Sequence, residues 1–183
     1  MPSTQLHLSR KLCPGGSRRH GPDDGFTLIE LSVVVLIIGI LLSIAVPTFL
    51  SAQNSAKAKS AESTVRSALS AVKTVYGNKQ TYAVAVVTLT AAEPSLQWVG
   101  DLGAPAASST PSQVSYEATG NVMILATRSN SGVCYYIRDD VSTGANAGTK
   151  FGTDTAAGPS SCVADLAVPP PSGWFNDASA AKW

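Results

Sequence analysis

The sequence predicts an α+β protein in which one long N-terminal α-helix packs against a small antiparallel β-sheet. Two patterns predict this fold. Residues 26–50 form an apolar run, which passes without a break into an amphipathic helical pattern over residues 51–78. Residues 113–140 then read as strands separated by turn sequences, which is typical of an antiparallel meander.

A basic leader precedes the apolar run. Residues 1–25 contain four cationic side chains, both histidines and one of the three cysteines of this 183-residue chain. The whole chain has a net charge of only +1, so its charge indicates no specific nucleic-acid partner.

The apolar run is long enough to cross a membrane. No charged residue occurs between Leu31 and Ala56, and about 20 helical residues span a hydrocarbon core of roughly 30 Å. The run is apolar on every face, which argues against a helix buried in a soluble core. The basic leader places the N-terminus in the cytoplasm and the C-terminal part outside.

Two simple interpretations of the apolar run are a secretory signal peptide and a plain membrane anchor. A secretory signal peptide has a shorter apolar region, of about 7–15 residues, and Pro47 lies where its cleavage would be expected. A plain membrane anchor fits the hydropathy equally well. Glu30 separates the readings, because a carboxylate in an apolar helix is costly and is normally paired or functional, unless it lies at the membrane interface.

The block GFTLIELSVVVLIIGILLSIAVP, residues 25–47, resembles the N-terminal processing signature of type IV prepilins and type II secretion pseudopilins. In that family a membrane aspartyl peptidase cleaves after the glycine and methylates the new N-terminus. The resemblance implies removal of residues 1–25 by cleavage after Gly25, with Phe26 as the N-methylated first residue. Glu30 then has a possible counter-ion in the ammonium of Phe26, in the same or a neighbouring subunit.

Gly39 and Pro47 interrupt the helical pattern of the run. Pro47 lacks the amide hydrogen that would bond to the carbonyl of Ser43. Two interpretations stay open: a mild kink, or a segment over residues 39–47 that unwinds in a filament, as type IV pilins show near equivalent positions.

Beyond residue 50 the sequence predicts a globular part with a pilin-like, ladle-shaped fold. One helical stripe is expected to cover the sheet, and Gly77-Asn78 is expected to end the helix; the stripe comprises Ala58, Ala61, Val65, Leu69, Val72 and Tyr76. Residues 79–112 read as an irregular connecting loop, with a possible strand at 82–87 and a possible capping box at Thr90-x-x-Glu93.

Three strands are expected at 113–118, 122–128 and 133–138, followed by a loop and tail over residues 141–183. Cys134 and Cys162 are the cysteines that remain after processing. Outside the cytoplasm they are expected to form a disulfide that brackets the loop, the alternative being two unpaired buried thiols.

No catalytic site is expected. Residues 26–183 contain no histidine, and no phosphate loop, zinc spacing or cofactor motif is present. Asp139, Asp140 and Asp154 flank a Gly-rich loop; solvated loop acids are favoured there over calcium ligands, so the predicted metal and cofactor content is none.

The function expected from the resemblance is that of a structural subunit of an extracellular type IV pilus on a bacterial surface. Its expected partners are further copies of itself, the prepilin peptidase, an inner-membrane assembly machinery and, before assembly, membrane lipid. The alternatives are a pseudopilin of a secretion or competence system and, less favoured, a membrane-anchored surface binding protein.

Overall fold

The structure is a computed structural model that describes residues 25–155, 158, 161–177, 180–181 and 183. The predicted leader, apart from Gly25, lies outside the described residues. The chain divides into two compact units, Met1–Ile44 and Ala45–Trp183, and one long helix contributes to both.

The long helix, α1, spans Leu28–Lys79 and confirms the predicted N-terminal helix. It continues past Gly77-Asn78, the predicted stop, and ends where Gln80 takes a left-handed conformation with φ of 56°. The amide of Gln80 donates to the Tyr76 carbonyl at 2.7 Å, and its side-chain amide donates to the Gly77 carbonyl at 3.0 Å. Gln80 therefore closes the last turn, as glycine more commonly does.

The second unit contains a six-stranded sheet with the order β2-β1-β3-β4-β5-β6. All neighbouring strands are antiparallel except β1 and β3, which are parallel. The strands are β1 Gln97–Asp101, β2 Ala104–Pro105, β3 Gln113–Ala118, β4 Val122–Arg128, β5 Cys134–Asp140 and β6 Gly148–Asp154.

The three strands of the predicted meander are present as β3, β4 and β5. The predicted division between their faces also holds. Tyr135 and Ile137 belong to the core between helix and sheet, whereas Cys134 and Tyr136 belong to a smaller cluster on the opposite face. Alternation of side chains along a strand is therefore a reliable guide in this part of the chain.

Two segments that the sequence suggested were irregular contain regular structure. Residues 79–112 include helix α2, Val86–Ala92, as well as β1 and β2, and the predicted strand at 82–87 is not formed. Tyr82 and Val84 are buried alternately, but the chain then coils into α2, which buries Leu89. Strand β6 lies in the predicted loop 141–183, where Gly and Thr gave no strand signal.

The predicted capping box at Thr90-x-x-Glu93 is wrong. Thr90 lies inside α2, where its hydroxyl donates to the Val86 carbonyl at 3.1 Å, and Glu93 is the C-cap of that helix. The sequence pattern is therefore placed at the end of a helix and not at the beginning of one.

The second half of α1 covers one face of the sheet with small side chains. Of the predicted stripe, Ala61, Val65 and Val72 are buried, and Ala58, Leu69 and Tyr76 are half-buried. The other buried apolar positions of the helix are Ala68, Ala71 and Val75. On the opposite face, residues 161–175 run across the sheet; we call this segment the strap. Its Cys162 and Ala164 are fully buried against Ile124 and Ala126.

Candidate processing and assembly site

Gly25 and Phe26 lie in an exposed, non-helical segment just before α1. Neither residue is helical, the Phe26 side chain is 90% exposed, and no heavy atom lies within 4 Å of a Cβ built on Gly25. The peptide bond between them is thus accessible along its backbone, and the absence of a side chain at Gly25 permits close approach by a protease.

Thr27 and Glu30 form a reciprocal capping box at the start of α1. The Glu30 amide donates to Thr27 Oγ1 at 3.2 Å. In return, the amide and the hydroxyl of Thr27 both donate to Glu30 Oε2, at 2.9 and 2.8 Å. This arrangement satisfies amides that the first helical turn would otherwise leave unpaired.

The box leaves half of the Glu30 carboxylate available. Both bonds from Thr27 reach Oε2, and within the described part of the chain no group donates to Oε1. The role of Thr27 was missed from the sequence, although the pattern Thr27-x-x-Glu30 before an apolar run is a recognised start signal for a helix. Glu30 therefore has a local partner in the isolated subunit, in addition to any partner it finds in a neighbour.

The apolar segment that follows is exposed along its whole length. The side chains from Leu31 to Leu50 are exposed within the chain, and α1 is long and apolar enough to cross a membrane by length and composition. An exposed apolar surface of this extent is typical of a segment that contacts lipid or other apolar helices. No charged side chain occurs in it, and Glu30 immediately precedes it.

Gly39 and Pro47 both lie within α1, which is assigned as helical throughout residues 39–47. The hydroxyls of Ser43 and Thr48 donate to the carbonyls of Ile40 and Ala45, at 2.7 and 2.9 Å. A Cβ at Gly39 would meet nothing within 4 Å. The unwinding of this segment in a filament stays a prediction.

The predicted disulfide between Cys134 and Cys162 is confirmed. The two residues are bonded, fully buried and 5.6 Å apart between their Cα atoms. The bond fixes the beginning of the strap to β5. Side chains of β3 hold the next residues, because Ser115 Oγ accepts from the Ala164 amide at 2.9 Å and Glu117 Oε2 from the Leu166 amide at 2.7 Å.

Asp139 and Asp140 are not the solvated loop acids that the sequence favoured. Both are buried at the end of β5, 3% and 5% exposed. Asp139 forms an ion pair with Lys73 of α1 at 3.0 Å, and Asp140 forms one with Arg138 at 2.8 Å. The alternative role of these acids as calcium ligands gains no support. No group of three or more metal-ligating side chains occurs among the residues that the structure describes.

Comparison with known proteins bears on the N-terminal segment. A family model described as "Prokaryotic N-terminal methylation motif" matches residues 23–46. The chain is also 41% identical over 66 residues to the "Type IV major pilin protein PilA" of Myxococcus xanthus (strain DK1622). The chain is distantly homologous to a type IV major pilin.

The extent of that homology is limited. The aligned region covers 36% of this chain and 30% of the Myxococcus protein, and no solved structure matches the chain. The motif includes Gly25, Phe26, Glu30 and Gly39, so the predicted resemblance is confirmed for the segment that suggested it. The matched family motif does not include the sheet or the strap, which are described from the structure alone.

Proposed function

We propose that this chain is a structural subunit of a type IV pilus. Its leader is removed by cleavage after Gly25, Phe26 becomes the methylated N-terminus, and the N-terminal helices of many copies pack into a filament. The observation that carries the proposal is Glu30, the one charge in the exposed apolar run over residues 26–50, most of which falls within the matched methylation motif. The proposed role is structural, without catalysis.

The geometry of Glu30 supports a pairing between subunits. Its Oε2 atom is held by Thr27 of the same chain, and no described residue donates to Oε1. The ammonium of a processed Phe26 in a neighbouring subunit can donate to Oε1 without breaking the capping box. Such a pair would neutralise both charges in an apolar filament core and fix the axial stagger of adjacent helices.

The exposed apolar segment accounts for two successive locations. Before assembly, lipid of the inner membrane surrounds residues 26–50, with the C-terminal part outside the cytoplasm. During assembly, helices of other copies replace the lipid. Van der Waals packing between helices then favours the filament. Burial of apolar surface adds little, because the lipid tails that are displaced are as apolar as the helices that replace them.

A glycine pair tests the processing step. Gly25→Ala is expected to retain the leader and to abolish surface filaments, because a side chain at the scissile position obstructs the peptidase. Gly77→Ala is the matched control, since neither glycine has a heavy atom within 4 Å of its built Cβ. Immunoblots and intact mass report cleavage; electron microscopy of sheared material reports filaments.

The outcomes separate the alternatives. Normal processing of the Gly25→Ala variant would contradict the proposal and favour a plain anchored protein. Cleavage of the parent without any surface filament would instead favour a pseudopilin, which the same peptidase processes but which does not form long surface fibres.

A further inference from the structure

Asp139 is a buried carboxylate on which several elements of the second unit converge. Lys73 of α1 lies 3.0 Å from its Oδ1, and Thr149 of β6 donates to the same oxygen. Tyr82, in the segment between α1 and α2, donates its hydroxyl to Oδ2. The Tyr82 carbonyl in turn accepts from the Tyr116 hydroxyl of β3. We call these five residues the Asp139 node.

Small side chains dominate the apolar contact between α1 and the sheet. The buried apolar side chains of the helix are all alanine or valine: Ala61, Val65, Ala68, Ala71, Val72 and Val75. Leu69 and Tyr76 are half-buried beside them. A displacement of the helix by one turn, about 5.4 Å, would still put valine in the places of Ala61, Ala68 and Ala71. Burial of these small side chains therefore sets the register only in part.

The Asp139 node does distinguish between neighbouring registers. A displacement of one turn would move the Lys73 ammonium from Asp139 and leave a buried carboxylate without its cation, which is costly. Lys73 is 47% exposed in its side chain, whereas Asp139 is only 4% exposed, so the acid depends on the lysine more than the lysine depends on the acid.

We infer that the ion pair of Lys73 and Asp139 sets the register of α1 against the sheet. The functional consequence rests on the proposed function: the sheet is attached to the filament through α1, so a wrong register places the sheet incorrectly against neighbouring subunits. A subunit without the pair folds and is processed, but it assembles poorly because the sheets of different copies do not share one position.

The chain provides a reporter for the register. Its two methionines are Met1, in the leader, and Met123, which is fully buried in the core between helix and sheet. Methyl labelling of methionine in the processed protein, in lipid nanodiscs, thus gives one signal from this interface. A single register gives one sharp methyl resonance, and exchange between registers splits or broadens it.

The test replaces the pair by apolar side chains in the double variant K73L/D139L. Leucine is chosen at both positions because it adds no second methionine signal. We expect the variant to fold with a lower thermal midpoint than the parent, because Tyr82 and Thr149 lose the acceptor of their hydrogen bonds. We also expect a split or broadened Met123 resonance and the loss of most surface filaments.

The matched control is K59L/E62L. Lys59 and Glu62 also pair an exposed lysine with a buried acid, at 2.8 Å, but both lie on α1, so their pair cannot sense the register. This control should keep one Met123 resonance.

One sharp Met123 resonance and normal filaments in K73L/D139L would overturn the inference. If that variant does not fold, D139N decides by the same two readouts, because it retains the shape of Asp139 without its charge. Failure of the parent to form filaments would count against the proposed function and would leave the comparison of Met123 resonances intact.

Discussion

Glu30 has one observed role, in the capping box, and one proposed role, in pairing between subunits. It caps its own helix through Thr27, and it is the only charge between Phe26 and Ala56. Capping requires only an acceptor oxygen, which glutamine also supplies at this position. Pairing with an ammonium requires the charge, so the two roles can be separated by substitution.

Glu30→Gln is therefore expected to insert in the membrane, to lose its leader and to begin its helix at the same residue, but to assemble into few filaments. Glu30→Ala should assemble equally poorly and should also fray the first turn, because it removes the acceptor. Filament yield after shearing measures assembly, and amide hydrogen exchange of residues 28–31 measures the helix start. Parent-like filaments from the glutamine variant would contradict the charge pairing.

Asp139 gives the second unit an acid-dependent stability. Burial by itself raises the pKa of the Asp139 carboxyl, but hydrogen bonds from Thr149, Tyr82 and Lys73, together with the charge of Lys73, outweigh this and lower the pKa below its usual value. A carboxyl with a lowered folded-state pKa contributes stability above its unfolded pKa of about 4, and this contribution is lost as the pH falls through the folded-state value.

We expect the thermal midpoint of the parent to fall more steeply between about pH 5 and pH 2 than that of D139N. The exposed residue Asp101 supplies the control D101N, which should follow the parent. Circular dichroism melts of the full chain in detergent measure all three proteins. Parallel curves for the parent and D139N would show that Asp139 contributes no acid dependence.

At the scale of the elements, the strap crosses β6 where that strand has a glycine. A Cβ on Gly152 would overlap Pro170 Cγ and would lie 3.0 Å from the Gly173 carbonyl oxygen. Pro170 is buried, and the Phe151 and Phe175 backbones exchange two hydrogen bonds beside it. Gly152 is therefore required by the close approach of the strap and not by an unusual backbone angle.

Gly152→Ala is expected to destabilise the second unit by about 1–3 kcal/mol, the usual cost of overpacking. Gly120→Ala is the control, because its Cβ would meet only Thr81 Oγ1 at 4.0 Å. Denaturant unfolding, followed by tryptophan fluorescence, measures both. Equal midpoints for the two variants would mean that the strap moves aside without cost.

Elements with strong periodicity were predictable from the sequence, and elements defined by contacts were not. The apolar run and the stripe from Ala58 to Tyr76 predicted α1. Alternation predicted β3 and β5, and a near-continuous apolar run predicted β4. Strand β6 has the sequence GTKFGTD, whose two glycines and polar residues resemble a loop. It is a strand because β5 pairs with it over seven positions, which only the tertiary structure provides.

The N-terminal part of the candidate site was predictable from the sequence, whereas the buried acids at the end of β5 were not. Glu30 is conspicuous as a charge in an apolar run, and Gly25 and Phe26 precede it in a known signature. Nothing in the sequence marks Asp139 and Asp140 as buried, since they come directly after the predicted strand 133–138 and precede a Gly-rich segment. Their burial depends on Arg138 and on Lys73, which is far from Asp139 in the sequence and meets it only when α1 packs on the sheet.

At the scale of the whole molecule, the chain has two surfaces for two environments. The exposed apolar half of α1 requires lipid or other helices, whereas the second unit has its own core, a confirmed disulfide and paired buried acids. In the proposed function, removal of the leader turns the first of these surfaces into an assembly surface, because it creates the ammonium on Phe26.

The measurement that tests this most directly is the intact mass and N-terminal sequence of the chain in filaments sheared from cells that express it. We predict that the subunit comprises residues 26–183, begins with N-methylated Phe26 and has Cys134 bonded to Cys162. Recovery of the chain only in the membrane, with residues 1–25 still attached, would contradict the account.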